Sequence, residues 1–390
     1  MILLLCAGLA LAGELSGFVV PTFSYDTDDG PGLGGRFELA RKSPGFDPYR
    51  WSIMAQGSVT AGGFQYHRMR WDQLGLGPEG RGRLLIRAGY KAWTRDGYWG
   101  IGARTGERPA CPGKGVSQPN CVPADYYEYA LQQPLASVTW RQDLAEGGPW
   151  SAFGAVAGRL STITLHRPSQ LAVDQPLGVE GGLDLPLTAG LLYDTRSPEI
   201  APQGGVFVEL AAMVAPPVQG QLWGGPHAGI STYVPLGGRV VWAHRTMAEW
   251  LFGAVPFTEM VNWIGYDPPT PGFGGANTLR GIRYGRWRGP GKAVVDQELR
   301  LRLFHHEAFG RLPLTYEVAP FVDLAAVSGE AEDPIGPPLH GSAGLGLRLI
   351  VDETFVGRVD AGYGADVAAC AGCPTTLPTL GVYVAFDHPF

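Results

Sequence analysis

Along most of the chain apolar and polar residues alternate one for one, the period of a β-strand with two unlike faces. In residues 293–304, Val295, Leu299, Leu301 and Leu303 share one face, and Asp296, Glu298, Arg300 and Arg302 the other. In residues 341–350, Ala343, Leu345, Leu347 and Leu349 alternate with Gly344, Gly346 and Arg348. In residues 354–364, Phe355, Val359, Ala361 and Tyr363 alternate with Arg358 and Asp360. A face that carries several charges must meet water, so such strands wrap a wet lumen and turn their apolar face to lipid. The same rule predicts strands at 32–42, 50–59, 62–72, 81–93, 97–104, 125–143, 150–165, 183–195, 205–215, 221–234, 239–251, 293–305, 312–326, 341–351, 354–365 and 377–390. The expected fold is all-β: a sixteen-stranded antiparallel transmembrane β-barrel.

The connections sort by side. Short turns at 94–96, 146–149, 236–238 and 352–353 follow even-numbered strands, and long segments at 105–124, 166–182, 252–292, 327–340 and 366–376 follow odd-numbered ones. Short periplasmic turns opposite long extracellular loops are the membrane-barrel pattern, and an even strand count returns both ends of the barrel to the periplasm. A soluble sandwich or β-helix gives no reason for loop length to depend on side.

Residues 2–12 are an unbroken apolar run ending in Ala10-Leu11-Ala12, a small-x-small site, although no Lys or Arg precedes the run. They read as a signal peptide of residues 1–12 whose removal leaves Gly13 first, because the run is too short to span a bilayer. Residues 13–31 are then expected as a short periplasmic segment, with 17–25 as a small strand or plug, and residues 32–390 as the barrel. At the other end Leu380, Val382, Val384 and Phe386 alternate towards Phe390. This looks like the C-terminal signal by which outer-membrane barrels are recognised for assembly, with His388 departing from it.

Composition sharpens the picture. Only 17% of residues are charged, and 58 glycines, 33 prolines, 11 tryptophans and 15 tyrosines suit strands, turns and interfacial aromatics rather than helices. A net charge of −6 argues against nucleic acid, which requires a concentrated basic surface. After residue 12 the cysteines come in two local pairs, Cys111 with Cys121 and Cys370 with Cys373, both in predicted extracellular loops. Two disulfides are expected in an oxidising compartment. A four-thiolate zinc site is the alternative, against which stands the ten-residue spacing of the first pair.

Several segments resemble the BamA/TamA family of outer-membrane barrels, the bacterial surface antigen family. Gly274-Gly275-Ala276-Asn277-Thr278-Leu279-Arg280-Gly281-Ile282, after the eleventh predicted strand, is similar to the Arg-Gly motif of that family's sixth extracellular loop, with Ile282 in place of an aromatic residue. Glu298-Leu299-Arg300 matches its Glu-Leu-Arg strand, and Phe321-Val322-Asp323-Leu324-Ala325 its Phe-x-Asp-x-Gly strand with Ala for Gly. Tyr193-Asp194-Thr195-Arg196, followed by Pro202 and Gly204, looks like the periplasmic turn between its eighth and ninth strands, and Gly100-Ile101-Gly102 after Tyr98-Trp99 is also familiar from it.

The resemblance implies that the loop folds into the barrel, with Leu279, Arg280, Gly281 and Ile282 as a lock whose partners are Glu298 and Asp323. It implies a role in inserting or translocating proteins or lipids at the outer membrane, with the assembly machinery and membrane lipids as partners during biogenesis. The family's periplasmic POTRA domains have no counterpart before the first predicted strand, so a separate periplasmic partner is expected in their place. The competing expectation is a passive channel or structural barrel that keeps the lock. No cofactor or metal is expected, and none of the His residues stands in a Ser-His arrangement that would suggest an enzyme.

Overall fold

In a computed structural model the described residues are 7–9, 15–46, 48–103, 105–111, 121–217, 222–266, 272–308, 312–329, 339–351, 355–365, 379–386, 388 and 390. The wall is built from β1 (Leu15–Asp26), β2 (Gly30–Arg41), β3 (Trp51–Thr60), β4 (Phe64–Leu76), β5 (Gly82–Gly97), β6 (Glu128–Asp143), β7 (Trp150–Leu165) and β8 (Leu187–Asp194). It continues through β9 (Gly205–Ala215), β10 (Trp223–Gly237), β11 (Val240–Trp250), β12 (Gly291–Ala308), β13 (Leu312–Val327), β14 (His340–Val351), β15 (Phe355–Ala365) and β16 (Thr379–Phe386). Each strand pairs antiparallel with the next, and β16 returns to β1, closing a sixteen-stranded barrel.

Alternation decides which way each side chain points. On β12, Leu299, Leu301 and Leu303 are 37–43% exposed while Asp296, Glu298 and Arg300 are 1% exposed. On β14, Leu345 and Leu347 face out and Arg348 faces in; on β15, Tyr363 faces out and Arg358 and Asp360 face in. The outward apolar residues, including Met69, Trp71, Trp140 and Leu210, are the surface that lipid covers.

Two neighbouring expectations fail and compensate, so the count of sixteen survives. The segment expected as a periplasmic strand or plug is β1, a wall strand paired with β2 from Leu15 opposite Arg41 to Asp26 opposite Gly30. Its inward face carries Val20, Thr22 and Ser24 with few charges, and Pro21 interrupts it, so its lumen signature is faint. The strand expected at 97–104 is absent among the described residues beyond Gly97, the last residue of β5. Gly100 and Gly102 adopt φ of +109° and +104°, outside strand geometry, and Tyr98 and Trp99 are both buried rather than alternating. The turn expected at 94–96 lies within β5, where a bulge between Trp93 and Asp96 keeps it paired with β6. Arg95 there binds Glu128 at 2.7 Å, so three polar residues in a row belong to a bulged strand and not to a turn.

The seam between first and last strands is thin. Among the described residues β16 meets β1 only where Tyr383 faces Asp26 and Val384 faces Tyr25. From Ser24 down to Leu15, β1 has no strand pairing with β16 among the described residues; Phe18 meets Phe355 of β15 with ring centres 5.7 Å apart, and part of that edge is covered by Ala7–Leu9, paired opposite Gly17–Val19. Residues expected to be cut away with the signal peptide therefore occupy the seam edge of β1.

Candidate functional site

The long segment between β11 and β12 enters the lumen. Its apolar residues Phe273, Leu279, Ile282 and Trp287 pack with Met247, Val294, Ala325 and Val327 of β11, β12 and β13. That cluster anchors the segment, so the polar group it carries is held in a fixed place.

Arg280 is that group, 1% exposed. Its Nε and Nη2 donate to the two carboxylate oxygens of Asp323 at 2.9 and 2.8 Å, and its Nη1 donates to Glu298 Oε1 at 2.5 Å. Its backbone N–H donates to Asp323 Oδ2 at 3.0 Å, and its guanidinium lies 3.5 Å from the centre of the Phe321 ring. A planar fork with fixed donors can serve both carboxylates at once, which an ammonium cannot. The two acids expected as partners are therefore the two it binds.

Gly281 is required by geometry. Its φ is +101°, and a Cβ there would lie 2.6 Å from the backbone of Gly362 on β15. The same residue ties the lock to β16: Gly281 N–H donates to Tyr383 Oη at 3.0 Å, and Thr379 Oγ1 donates to Gly281 O at 2.5 Å. Ile282, 1% exposed, fills the apolar cluster where an aromatic residue was the family's choice.

Sequence reading missed the outer ring of this site. Arg348 links Glu298 (2.8 Å) to Asp360 (2.5 Å), and Arg300 Nε donates to the other Glu298 oxygen at 2.9 Å. Arg358 pairs with Asp360 and donates to Ala276 O at 2.7 Å and Asn277 Oδ1 at 2.6 Å. Arg245, which binds Asp296, donates to Asn277 O at 2.6 Å. The inward parity of Arg348 and Arg358 was visible in the alternation and Arg300 sits in the Glu-Leu-Arg motif, but nothing local linked these residues, or Arg245, to the loop; only the fold does.

The other expected sites divide. Cys111 and Cys121 form a disulfide in the β5–β6 connection. Cys370 and Cys373 lie outside the described residues. Val384 and Phe386 stay on β16, but Phe390 leaves the strand's line. It packs inside the lumen against Tyr233, Val241 and Ala243, where Arg300 Nη2 donates to its carbonyl at 3.0 Å. The expectation of one unbroken strand to residue 390 is corrected to an end at Phe386, because inward guanidiniums and an apolar hollow draw Phe390 off the wall.

No protein-family model matches the sequence, and no curated protein matches it. Among solved structures, BamA from Haemophilus ducreyi lacking POTRA domains 1–3 superposes with a TM-score of 0.57 at 14% identity, over 95% of this chain and 70% of that one. CdiB from Escherichia coli gives a TM-score of 0.57 at 12% identity, over 97% and 63%. CdiB from Acinetobacter baumannii gives 0.52 at 13%, over 96% and 60%. The chain thus spans less than two thirds of either CdiB, and at these identities the likeness is one of fold.

Proposed function

We propose that this protein, a bacterial outer-membrane barrel of the BamA type, assists the insertion or translocation of proteins at the outer membrane. The observation that carries the reading is the seam. Below Tyr25 the β1 edge has no β16 partner among the described residues, and a bare strand edge is a template for another strand. Val19, Phe23 and Tyr25 point outward beside it. A client strand pairing there would have lipid on one face and the lumen on the other, the two environments a barrel strand needs. Ala7–Leu9 already occupies three positions of that edge in strand geometry. Removal of residues 1–12 as a signal peptide would bare it.

The lock supports the same reading. It fastens the loop to β12, β13 and β14 through Arg280, Glu298 and Arg348, and to β16 through Gly281 and Tyr383. The loop also reaches the top of β1, where Tyr284 N–H donates to Asp28 Oδ2 at 3.2 Å beside the pairing of Asp26 with Tyr383. The seam is thus held at its upper end, while lower down β1 pairs with β2 and the short Ala7–Leu9 piece. A periplasmic partner that delivers unfolded chains fits this arrangement, and Val384, Phe386 and Phe390 would be read by the assembly machinery when the barrel itself is built. A passive or structural barrel is the second reading, favoured by the loop that fills much of the lumen.

The test is client folding. An eight-stranded outer-membrane protein diluted from urea should fold several-fold faster into phosphatidylethanolamine/phosphatidylglycerol vesicles that contain this protein than into vesicles holding an unrelated sixteen-stranded porin. Equal rates would favour the passive barrel. Accelerated lipid exchange with unchanged client folding would shift the role to lipids.

A further inference from the structure

A barrel wall turns apolar side chains to lipid, and β12–β15 do so with Leu299, Val322, Leu345, Leu347 and Tyr363. The outward face of β11 breaks this rule. Trp242, His244 and Thr246 share that face, since Val241, Ala243, Arg245 and Met247, which alternate with them, are the buried ones. His244 stands opposite Gln297 on β12, which shares its face with Leu299, and opposite Thr232 on β10. Four polar side chains and an indole therefore meet on three adjacent strands where hydrocarbon lies. They are not at the rim. β11 has 11 residues, a length that crosses the hydrocarbon, and His244 sits near its middle.

The cluster is one chain of hydrogen bonds. Trp242 Nε1 donates to Gln297 Oε1 at 2.7 Å, which fixes the orientation of the amide. Gln297 Nε2 then donates to His244 Nδ1 at 2.5 Å, so the imidazole accepts there and carries its proton on Nε2. That nitrogen lies 3.0 Å from Thr246 Oγ1 and donates to it. A primary amide has two N–H donors and two carbonyl lone pairs, and this chain uses one of each. Gln297 is left with one N–H and one lone pair, and Thr246 with its hydroxyl proton, with no further partner among the described residues. Lipid chains cannot satisfy them, and an unpaired polar group in hydrocarbon is strongly disfavoured.

The surplus on Gln297 is its own complement. Two primary amides related by a two-fold axis exchange N–H and carbonyl in a closed pair, so a second copy of the same face supplies what is missing. No partner of different composition is required. Within a membrane, apolar side chains gain little by leaving lipid for one another, and polar pairs with close packing drive association instead. Ile230, Leu299 and Val322 surround the amide and would pack against their counterparts. The face belongs to β10–β12 and lies away from the β16–β1 seam.

We infer that the outward face of β10–β12 is the contact between two copies of this protein in the membrane, with Gln297 paired to Gln297 across a two-fold axis. The inference does not rest on the insertion role, since subunit number and client folding are measured separately. Full-length, singly labelled protein is reconstituted in phosphatidylethanolamine/phosphatidylglycerol vesicles, and subunits are counted by single-molecule photobleaching as the lipid-to-protein ratio is varied. The wild type should be largely paired. Gln297→Leu with His244→Leu, which turns the cluster into ordinary lipid-facing wall, should lower the paired fraction several-fold at the same ratio.

A second measurement maps the contact. Leu299→Cys, beside the amide on the same face, should give a disulfide-linked dimer on oxidation, and Leu345→Cys on β14 should not. Both are placed in a chain whose Cys6, Cys370 and Cys373 are replaced by serine. Each variant is first checked for the heat-dependent gel shift of a folded barrel. If the Leu pair does not fold, the wild-type count and the two cysteine variants decide. Single subunits of the wild type at every ratio, a folded Leu pair that stays dimeric, or cross-linking no greater from Leu299→Cys than from Leu345→Cys would overturn the inference.

Discussion

Arg280 concentrates the energetics of the lumen on one side chain. Removing it leaves Glu298 and Asp323, both 1% exposed or less, without their shared cation. Breaking a buried pair in this way costs roughly 3–5 kcal/mol. Arg280→Ala is therefore expected to lower the temperature at which the unheated barrel loses its fast gel migration and to open the loop to protease. Arg280→Lys should recover only part of the loss, because one ammonium cannot reproduce three directed donors. Unchanged stability and protease resistance in Arg280→Ala would remove the lock.

Gly281→Ala tests the same contact from the backbone, since the positive φ and the approach to Gly362 both exclude a Cβ. Strain of that kind costs on the order of 1–3 kcal/mol before any clash with β15 is counted. At this scale the sequence was informative where a motif gathered the chemistry: Arg280, Glu298 and Asp323 were legible. Arg348, Arg358 and Asp360 were not. Their inward parity was plain, but their meeting with Asn277 and Glu298 exists only once β14 and β15 lie beside the loop.

Among the elements, strands with charge on the inward face were legible and strands without it were not. β12 and β15 announce themselves through Asp296, Glu298, Arg358 and Asp360; β1, with Val20, Thr22 and Ser24 inside, does not. The false strand at 97–104 came from an alternation of large residues and glycine that positive φ at Gly100 and Gly102 forbids. The loop that replaces it is stapled by Cys111–Cys121. By loop-closure entropy such a bridge contributes on the order of 2–3 kcal/mol. Reduction should expose the β5–β6 connection to protease while the barrel keeps its gel shift, and intact mass after alkylation without reductant should show no label on Cys111 or Cys121. Label on both would contradict the bridge.

For the whole molecule, closure of the wall and the apolar exterior make location a direct consequence of sequence pattern. The protein should fractionate with the outer membrane and migrate faster unheated than boiled; recovery as a soluble periplasmic protein would contradict the fold's orientation of its faces. What alternation cannot report is where a closed wall is weak, because the pairing of β16 with β1 depends on how two distant ends of the chain meet.

The seam is also where the proposed activity resides, so it is the place to test it. Tyr25→Cys and Val384→Cys, facing each other across β1 and β16, would staple the seam when oxidised. The measurement is the folding rate of an eight-stranded client into vesicles containing the stapled protein, before and after reduction. The account predicts that oxidation brings the rate down to that of porin-containing vesicles and that reduction restores it. A rate that stays accelerated with the seam covalently closed would contradict the account.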